Sequence, residues 1–410
     1  MENKEFFQTS NGLRVCYIQK KNFHKSYAGI GLNYGSRDLE FFVENQKMKS
    51  KKGVAHFIEH KLYQMPDGDA FLEFSKMNAS ANAYTDLEKT IYYFTTVNDL
   101  YAPLELLLKM FFTPYFKEKD VEREKGIITS EIKMVDDIPQ AKFTQHILNA
   151  LYPRSSLSVS TAGTVESVKS TTVLDLELAY RSFYTTDNSF LVIISYEPRE
   201  KVIAYVEDLM KSLKVNRGLP KLVSPVTKKM GTNFTFEANV EQTTASLAIR
   251  FQADQNSSLF CEFIIGLLDT LLSPSAPFYK QLHQQKAFTA DIEYSVSTLR
   301  DTAYAVISTT SSHPKVFLDA VEEKLKNLKK SDLYIKMIDI YLKHLKAKSI
   351  LSLDSIEELG EEILILALEG ESYLDNLNRC LDLKRSDFYS YIHFFNEADY
   401  IQAICKKSAK

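Results

Sequence analysis

The chain has 410 residues, 45% of them apolar and 25% charged, with a net charge of −3. That length exceeds one ordinary domain and leads us to expect two of roughly 200 residues each. The lack of a basic surplus argues against a nucleic-acid or anionic-membrane partner, and no apolar run is long enough to span a bilayer. Cys16, Cys261, Cys380 and Cys405 are scattered without a Cys-x-x-Cys pair. That pattern, with no apolar stretch of the secretory type near residue 1, leads to the expectation of a cytoplasmic protein with reduced thiols.

In chain order, residues 13–19 and 28–34 read as strands, because β-branched and aromatic residues cluster near glycines. Helices are predicted over 53–63 and 69–77, followed by a single strand within SANAYTDLEKTIYYFTT whose most β-prone part is 91–96. Longer helices are expected over 100–112 and 121–136. The segment VNRGLPKLVSPVTKK concentrates Gly218, Pro220 and Pro225 near the midpoint and reads as a linker. After it the order repeats: strands at 234–237 and 245–252, helices at 259–272 and 277–284, then strands at 292–297 and 302–310. A long helix over 316–330 follows, and EELGEEILILALEG reads as an amphipathic helix at a domain surface. The expected class is α+β, with two structurally similar α/β-sandwich domains of mixed sheet plus helices. The expected boundaries are 1–217 for a metal-binding catalytic domain, 218–225 for the linker and 226–410 for a related domain without metal.

Residues 53–63 read GVAHFIEHKLY. On a helix, His56 and His60 share one face about one turn apart, so each imidazole can give one ring nitrogen to a single zinc ion. Glu59 borders that face, and a carboxylate there can take a proton from a zinc-held water and later give it to the departing amine. The order His-x-x-Glu-His is the reverse of His-Glu-x-x-His. A surface helix whose histidines merely fall four apart is the plain alternative. A catalytic zinc needs a third protein ligand. The stretch DVEREKGIITSEIKMVDD offers Glu131, with Glu124 two turns earlier on the same face, and the apolar Ile127 and Ile128 mark part of this helix as buried. Glu131 is the expected third ligand. Glu124 is expected to orient a histidine or help bind substrate, against the alternative of a solvated helix position.

The pieces GVAHFIEH, SANAYTD and EREKGIITSEIKM together resemble the pitrilysin, insulinase and mitochondrial processing peptidase family over the whole chain. The likeness is to small two-domain bacterial members of a paired-subunit type, whose domains form half of a clamshell. It implies a Zn2+ site of His56, His60 and Glu131, with Glu59 as base and Glu124 as auxiliary carboxylate. It also implies that Ser80, Ala81, Asn82, Ala83 and Tyr84 form a strand edge to which a peptide substrate adds as a further strand. Without the resemblance, Asn82 reads as a turn or strand-end residue.

One departure stands out. Active members carry an Arg and, seven residues on, a Tyr in the second domain. In FYKQLHQQKAFTADIEYSV those positions hold His283 and Ala290. Neither replaces a forked guanidinium or a phenol. The expectation is a zinc-dependent endopeptidase acting on small unfolded or extended peptides. It would be the catalytic subunit of a hetero-oligomer in which a related subunit supplies the missing pair, or else a homodimer. The competing expectation is a non-catalytic peptide-binding or assembly subunit with a vestigial metal site. No phosphate-binding glycine motif or nucleophile elbow is present.

Overall fold

The computed structural model describes residues 5–66, 68–252 and 259–408. The chain forms two compact units that do not follow a simple division at the linker. The first is built from residues through Met134, Val159–Pro225 and Leu351–Asp375; the second from Val135–Ser158, Val226–Ile350 and the chain from Asn376 onward.

The first unit is organised on a six-stranded sheet. From edge to edge its strands are Phe6–Gln8, Arg14–Gln19, Ser189–Ser195, Ser26–Leu32, Thr90–Thr96 and Ala79–Thr85. Arg14–Gln19 and Ser189–Ser195 run parallel and the remaining pairs are antiparallel. Both central strands, Ser26–Leu32 and Ser189–Ser195, are buried at every position. Such strands need cover on both faces. One face packs Val15, Tyr17, Ala28, Ile30, Leu191 and Ile193 into the main core, together with Phe57, Leu107 and Phe111 from flanking helices. The other face is covered by the helix Ile356–Leu368, which comes from late in the chain. Gly31 and Gly360 make that approach possible. A Cβ on Gly31 would meet Leu368 and Leu364 at 3.0 and 3.4 Å, and one on Gly360 would meet the Tyr27 ring at 2.4 Å. EELGEEILILALEG is therefore amphipathic as expected but not a surface element: Ile363, Leu364, Leu366 and Leu368 are buried against the sheet.

The second unit repeats the plan with five strands in the order Phe234–Ala238, Asp399–Lys407, Thr244–Phe251, Thr302–Thr310 and Glu293–Leu299. Here too a single pair is parallel, Phe234–Ala238 with Asp399–Lys407, and the others are antiparallel, so the order matches that of the first sheet without its edge strand Phe6–Gln8. Its main core gathers Leu247, Ile249, Ala305 and Ile307 with Leu267, Leu271, Phe317 and Val321 from helices. A helix from the first half, Pro139–Leu151, joins this unit, and its Phe143 packs on Phe234 and Phe236. Each sheet is thus served by a helix from the other half of the chain. Two similar mixed-sheet domains are what the sequence predicted; the exchanged helices were not anticipated.

The SANAYTDLEKTIYYFTT segment is a hairpin rather than one strand. Ala79–Thr85 pairs antiparallel with Thr90–Thr96. At the turn the Asp86 carboxylate accepts from the backbone amides of Glu88 and Lys89, both at 2.6 Å. An Asp can fold the chain back by such bonds even inside a β-prone run. Arg37 pairs with Glu88 beside this turn in a nearly dry environment. The segment 215–229 is not wholly irregular: Lys221–Leu222 pairs with Glu40–Val43 as a short strand. Among the described residues no helix is long and apolar enough to cross a membrane.

Candidate metal centre

The helix Val54–Leu62 begins at Gly53, whose φ of 83° lies in the left-handed region. A Cβ there would sit 2.3 Å from the Ala162 carbonyl oxygen, so both the conformation and the close approach call for glycine. Val54, Ala55, Phe57, Ile58 and Leu62 turn into the core. That leaves His56, Glu59 and His60 together on the opposite face. The second helix, Glu118–Asp136, buries Val121, Glu124, Ile128, Thr129 and Ile132. Ile127, read with Ile128 as part of a buried stretch, is exposed; one residue further around the helix changes the face.

The two helices bring His56, His60 and Glu131 together, with one ligand atom from each lying within 4.8 Å of the others. His56 Nε2 lies 3.7 Å from Glu131 Oε1, and His60 Nε2 lies 3.7 Å from Glu131 Oε2. These separations are too long for hydrogen bonds. They are close to the edge of about 3.4 Å expected between two donors that each reach about 2.1 Å to one tetrahedral ion. Two imidazoles and a carboxylate also form a donor set suited to zinc. The residues therefore fit the metal that their sequence spacing suggests.

The protonation state of His56 and the hydrogen bonding of His60 bear on the same role. Burial, with the nearby His60, pushes His56 down to about 4, leaving a neutral ring with a free lone pair at neutral pH. For His60, burial acts downward but is outweighed by the Glu124 hydrogen bond and three surrounding carboxylates, so its pKa is raised. His60 Nδ1 lies 3.0 Å from Glu124 Oε1. With the proton on Nδ1 donated to Glu124, the lone pair of Nε2 points toward Glu131. Glu124 is itself buried, and its other oxygen accepts from Gln64 Nε2 at 2.9 Å. Gln64 in turn accepts through Oε1 from Lys61 Nζ, whose side chain is fully buried. Burial tends to raise Glu124, yet His60, Lys61 and Arg123 hold it below the ordinary carboxylate range. Sequence reasoning missed Lys61 and Gln64, which follow His60 by one and four residues and carry no pattern of their own. His56 Nδ1 is buried without a partner among the described residues.

Glu59 lies on the same face. Burial raises its pKa, and Thr85 Oγ1 donates to its Oε2 at 2.8 Å. Thr85 is the last residue of Ala79–Thr85, which carries Ser80, Ala81, Asn82, Ala83 and Tyr84. This strand is an edge, paired on one side only, to Thr90–Thr96. Ser80 and Asn82 are exposed and Ala81, Ala83 and Tyr84 partly so. The Ala83 amide is met by Asn82 Oδ1 at 2.9 Å, and Tyr84 Oη donates to Glu361 at 2.8 Å. In the second unit, His283 is exposed on the helix Pro277–Gln284, its ring 5.8 Å from that of Phe288, and Ala290 is exposed just before Glu293–Leu299.

The chain thus pairs two domains of similar sheet topology, the first bearing His-x-x-Glu-His on a helix with a carboxylate from a second helix beside it. The sequence profile of the insulinase peptidases, family M16, matches residues 14–165, and that of the peptidase M16 inactive domain matches residues 170–334. The chain belongs to peptidase family M16. It is 40% identical over 201 residues to a Bacillus subtilis protein named uncharacterized zinc protease YmfH, an alignment spanning 48% of this chain and 47% of that one. It is 30% identical over 171 residues to the mitochondrial-processing peptidase subunit beta of Rattus norvegicus, covering 40% of this chain and 33% of that one. The solved structure of an M16-like peptidase from Alicyclobacillus acidocaldarius superposes with a TM-score of 0.88 over 98% of both chains. At 24% identity that likeness speaks for the fold.

Proposed function

We propose that this protein is a zinc-dependent endopeptidase acting on small unfolded or extended peptides in the cytoplasm, and the catalytic subunit of a hetero-oligomer. The observation that carries this reading is the convergence of His56 Nε2, His60 Nε2 and the Glu131 carboxylate, with Glu59 on the same helix face. In this reading His56, His60 and Glu131 hold the ion, and Glu124 keeps His60 in the tautomer that leaves Nε2 free. Zinc held there would polarise the scissile carbonyl and lower the pKa of a water to about 7. Ser80, Ala81, Asn82, Ala83 and Tyr84 line up the substrate as an added strand, so backbone rather than side-chain sequence is read. A folded protein cannot present such a strand. Glu59 takes a proton from the attacking water and passes it to the nitrogen of the departing chain. Burial raises its pKa, the direction that makes it a better proton acceptor.

Free thiols at all four cysteines accord with the cytoplasm. Support for a partner comes from His283 and Ala290, which offer neither guanidinium nor phenol, and from the subunit named in the rat relative. The same two residues favour a second reading, a peptide-binding or assembly subunit with a vestigial metal site. Glu59→Gln separates the two. The variant is expected to keep about one zinc per chain and lose turnover of an unstructured peptide, with the partner added where one is required. Wild-type rates in Glu59→Gln would remove the proposed mechanism. A wild-type chain that binds no zinc after careful preparation would leave the binding role. Full activity of the isolated chain would remove the need for a partner.

A further inference from the structure

We infer that Thr85 is a positioning residue for Glu59, fixing which carboxylate oxygen receives the proton; the inference rests on the peptidase reading above. Thr85 Oγ1 stands 2.8 Å from Glu59 Oε2 and 3.3 Å from Thr90 Oγ1, and Thr90 is its direct partner in the hairpin. The buried Thr90 hydroxyl donates its hydrogen to the Tyr34 carbonyl at 2.8 Å. A hydroxyl has one hydrogen, so Thr90 has none left for Thr85 and can only accept from it. The Thr85 hydrogen therefore has two acceptors within reach. Glu59 Oε2 is the nearer, and a carboxylate is the stronger acceptor.

The consequence is directional. Oε2 already accepts the Thr85 hydrogen, which fixes the carboxylate's rotation and makes Oε1, with both lone pairs uncommitted to the contacts described, the oxygen that takes the proton from water and releases it to the leaving nitrogen. The Thr85 hydrogen stays on Oγ1 throughout, so the residue exchanges no proton. Because Thr85 closes the strand that carries Ser80 to Tyr84, one backbone segment serves both the substrate edge and the base. No residue type in SANAYTD announces this, since a threonine at a strand end is ordinary.

The test uses the full-length protein, with its partner subunit if activity requires one, and compares Thr85→Val with Thr85→Ser. Valine keeps the shape and removes the hydroxyl; serine restores it. A positioned base contributes about 10²–10⁴-fold, so misplacing it should lower kcat by about tenfold or more in Thr85→Val. KM and zinc content should stay unchanged, and Thr85→Ser should recover most of kcat. Independently of activity, a crystal structure of metal-free Thr85→Val should show the Glu59 carboxylate displaced from its wild-type position. Wild-type kcat in Thr85→Val, equal loss in both variants, a change in KM alone or an unmoved carboxylate would each overturn the inference. Should Glu59→Gln itself retain full turnover, the peptidase reading fails first. If Glu59→Gln is inactive while Thr85→Val is unimpaired, only the role of Thr85 fails.

Discussion

Replacing Glu124 by Gln tests the support behind the metal centre, because the surrounding bonds fix what each atom at that position must do. In the wild type, Oε1 accepts from His60 Nδ1 at 3.0 Å and Oε2 accepts from Gln64 Nε2 at 2.9 Å. A glutamine has one carbonyl and one NH2. If its carbonyl serves His60, its NH2 confronts the NH2 of Gln64. Gln64 cannot turn over, because its carbonyl already accepts from the buried Lys61 Nζ. Every arrangement that leaves His60 Nε2 free for a metal therefore loses one bond of the set. Losing a partner of this kind typically costs 10- to 100-fold in metal affinity, or about 1.4–2.7 kcal/mol at about 1.36 kcal/mol per decade. Competition for zinc against a chelating dye of known affinity measures this directly. The double variant Glu124→Gln with Gln64→Glu reverses the polarity. The new carboxylate accepts from both Lys61 and the NH2 introduced at position 124, while the carbonyl introduced there keeps His60. Recovery of at least part of the affinity is expected. Wild-type zinc affinity in Glu124→Gln, or a double variant weaker than the single one, would refute this account of the network.

Other consequences can be checked separately. Gly360→Ala would place a Cβ 2.4 Å from the ring of Tyr27, which is buried and stacked on Tyr93. A destabilisation of about 1–3 kcal/mol is expected, read as a lower thermal midpoint, and an unchanged midpoint would contradict the close helix–sheet packing. Peptide substrates N-methylated at backbone positions that face the edge strand should bind several-fold more weakly, since each lost hydrogen bond is worth about 1 kcal/mol. Side-chain changes at the same positions should matter less; the reverse pattern in KM would argue against strand addition. Asp175 tests the ordinary electrostatics of the fold. Burial tends to raise it, but Lys51 and the Thr172 cap outweigh this and hold it below its usual value of 3.8. Its charged form therefore contributes stability above pH 3.8 that is lost as pH falls through the lowered value. Asp175→Asn should destabilise at about pH 7 and progressively less as pH is taken below 3.8, read by chemical denaturation, whereas an effect that stays constant over that descent would contradict the pairing.

Much of the candidate site was legible because its chemistry resides in residue type and helical spacing. His56, Glu59 and His60 share a face through the 3.6-residue repeat alone, and Glu124 and Glu131 share another two turns apart. What spacing could not reveal is which carboxylate oxygen meets which ring nitrogen. For that reason Gln64, Lys61 and Thr85 went unnoticed: each is an ordinary residue whose role depends on a three-dimensional partner. The repeated sheet order was visible in outline. The hairpin at Asp86 was missed because one side-chain turn interrupts a run of uniformly β-prone residues. Ser189–Ser195 was missed because a strand buried on both faces shows no alternation. The exchanged helices Pro139–Leu151 and Ile356–Leu368 each show an apolar face, and an apolar face says that something covers it without saying which sheet does.

Anomalous diffraction at the zinc edge from crystals of the protein prepared with zinc tests the central claim most directly. The account predicts one strong peak within about 2.0–2.2 Å of His56 Nε2, His60 Nε2 and a carboxylate oxygen of Glu131. A peak held by other residues, or the two imidazoles ligating an ion that Glu131 does not reach, would contradict it.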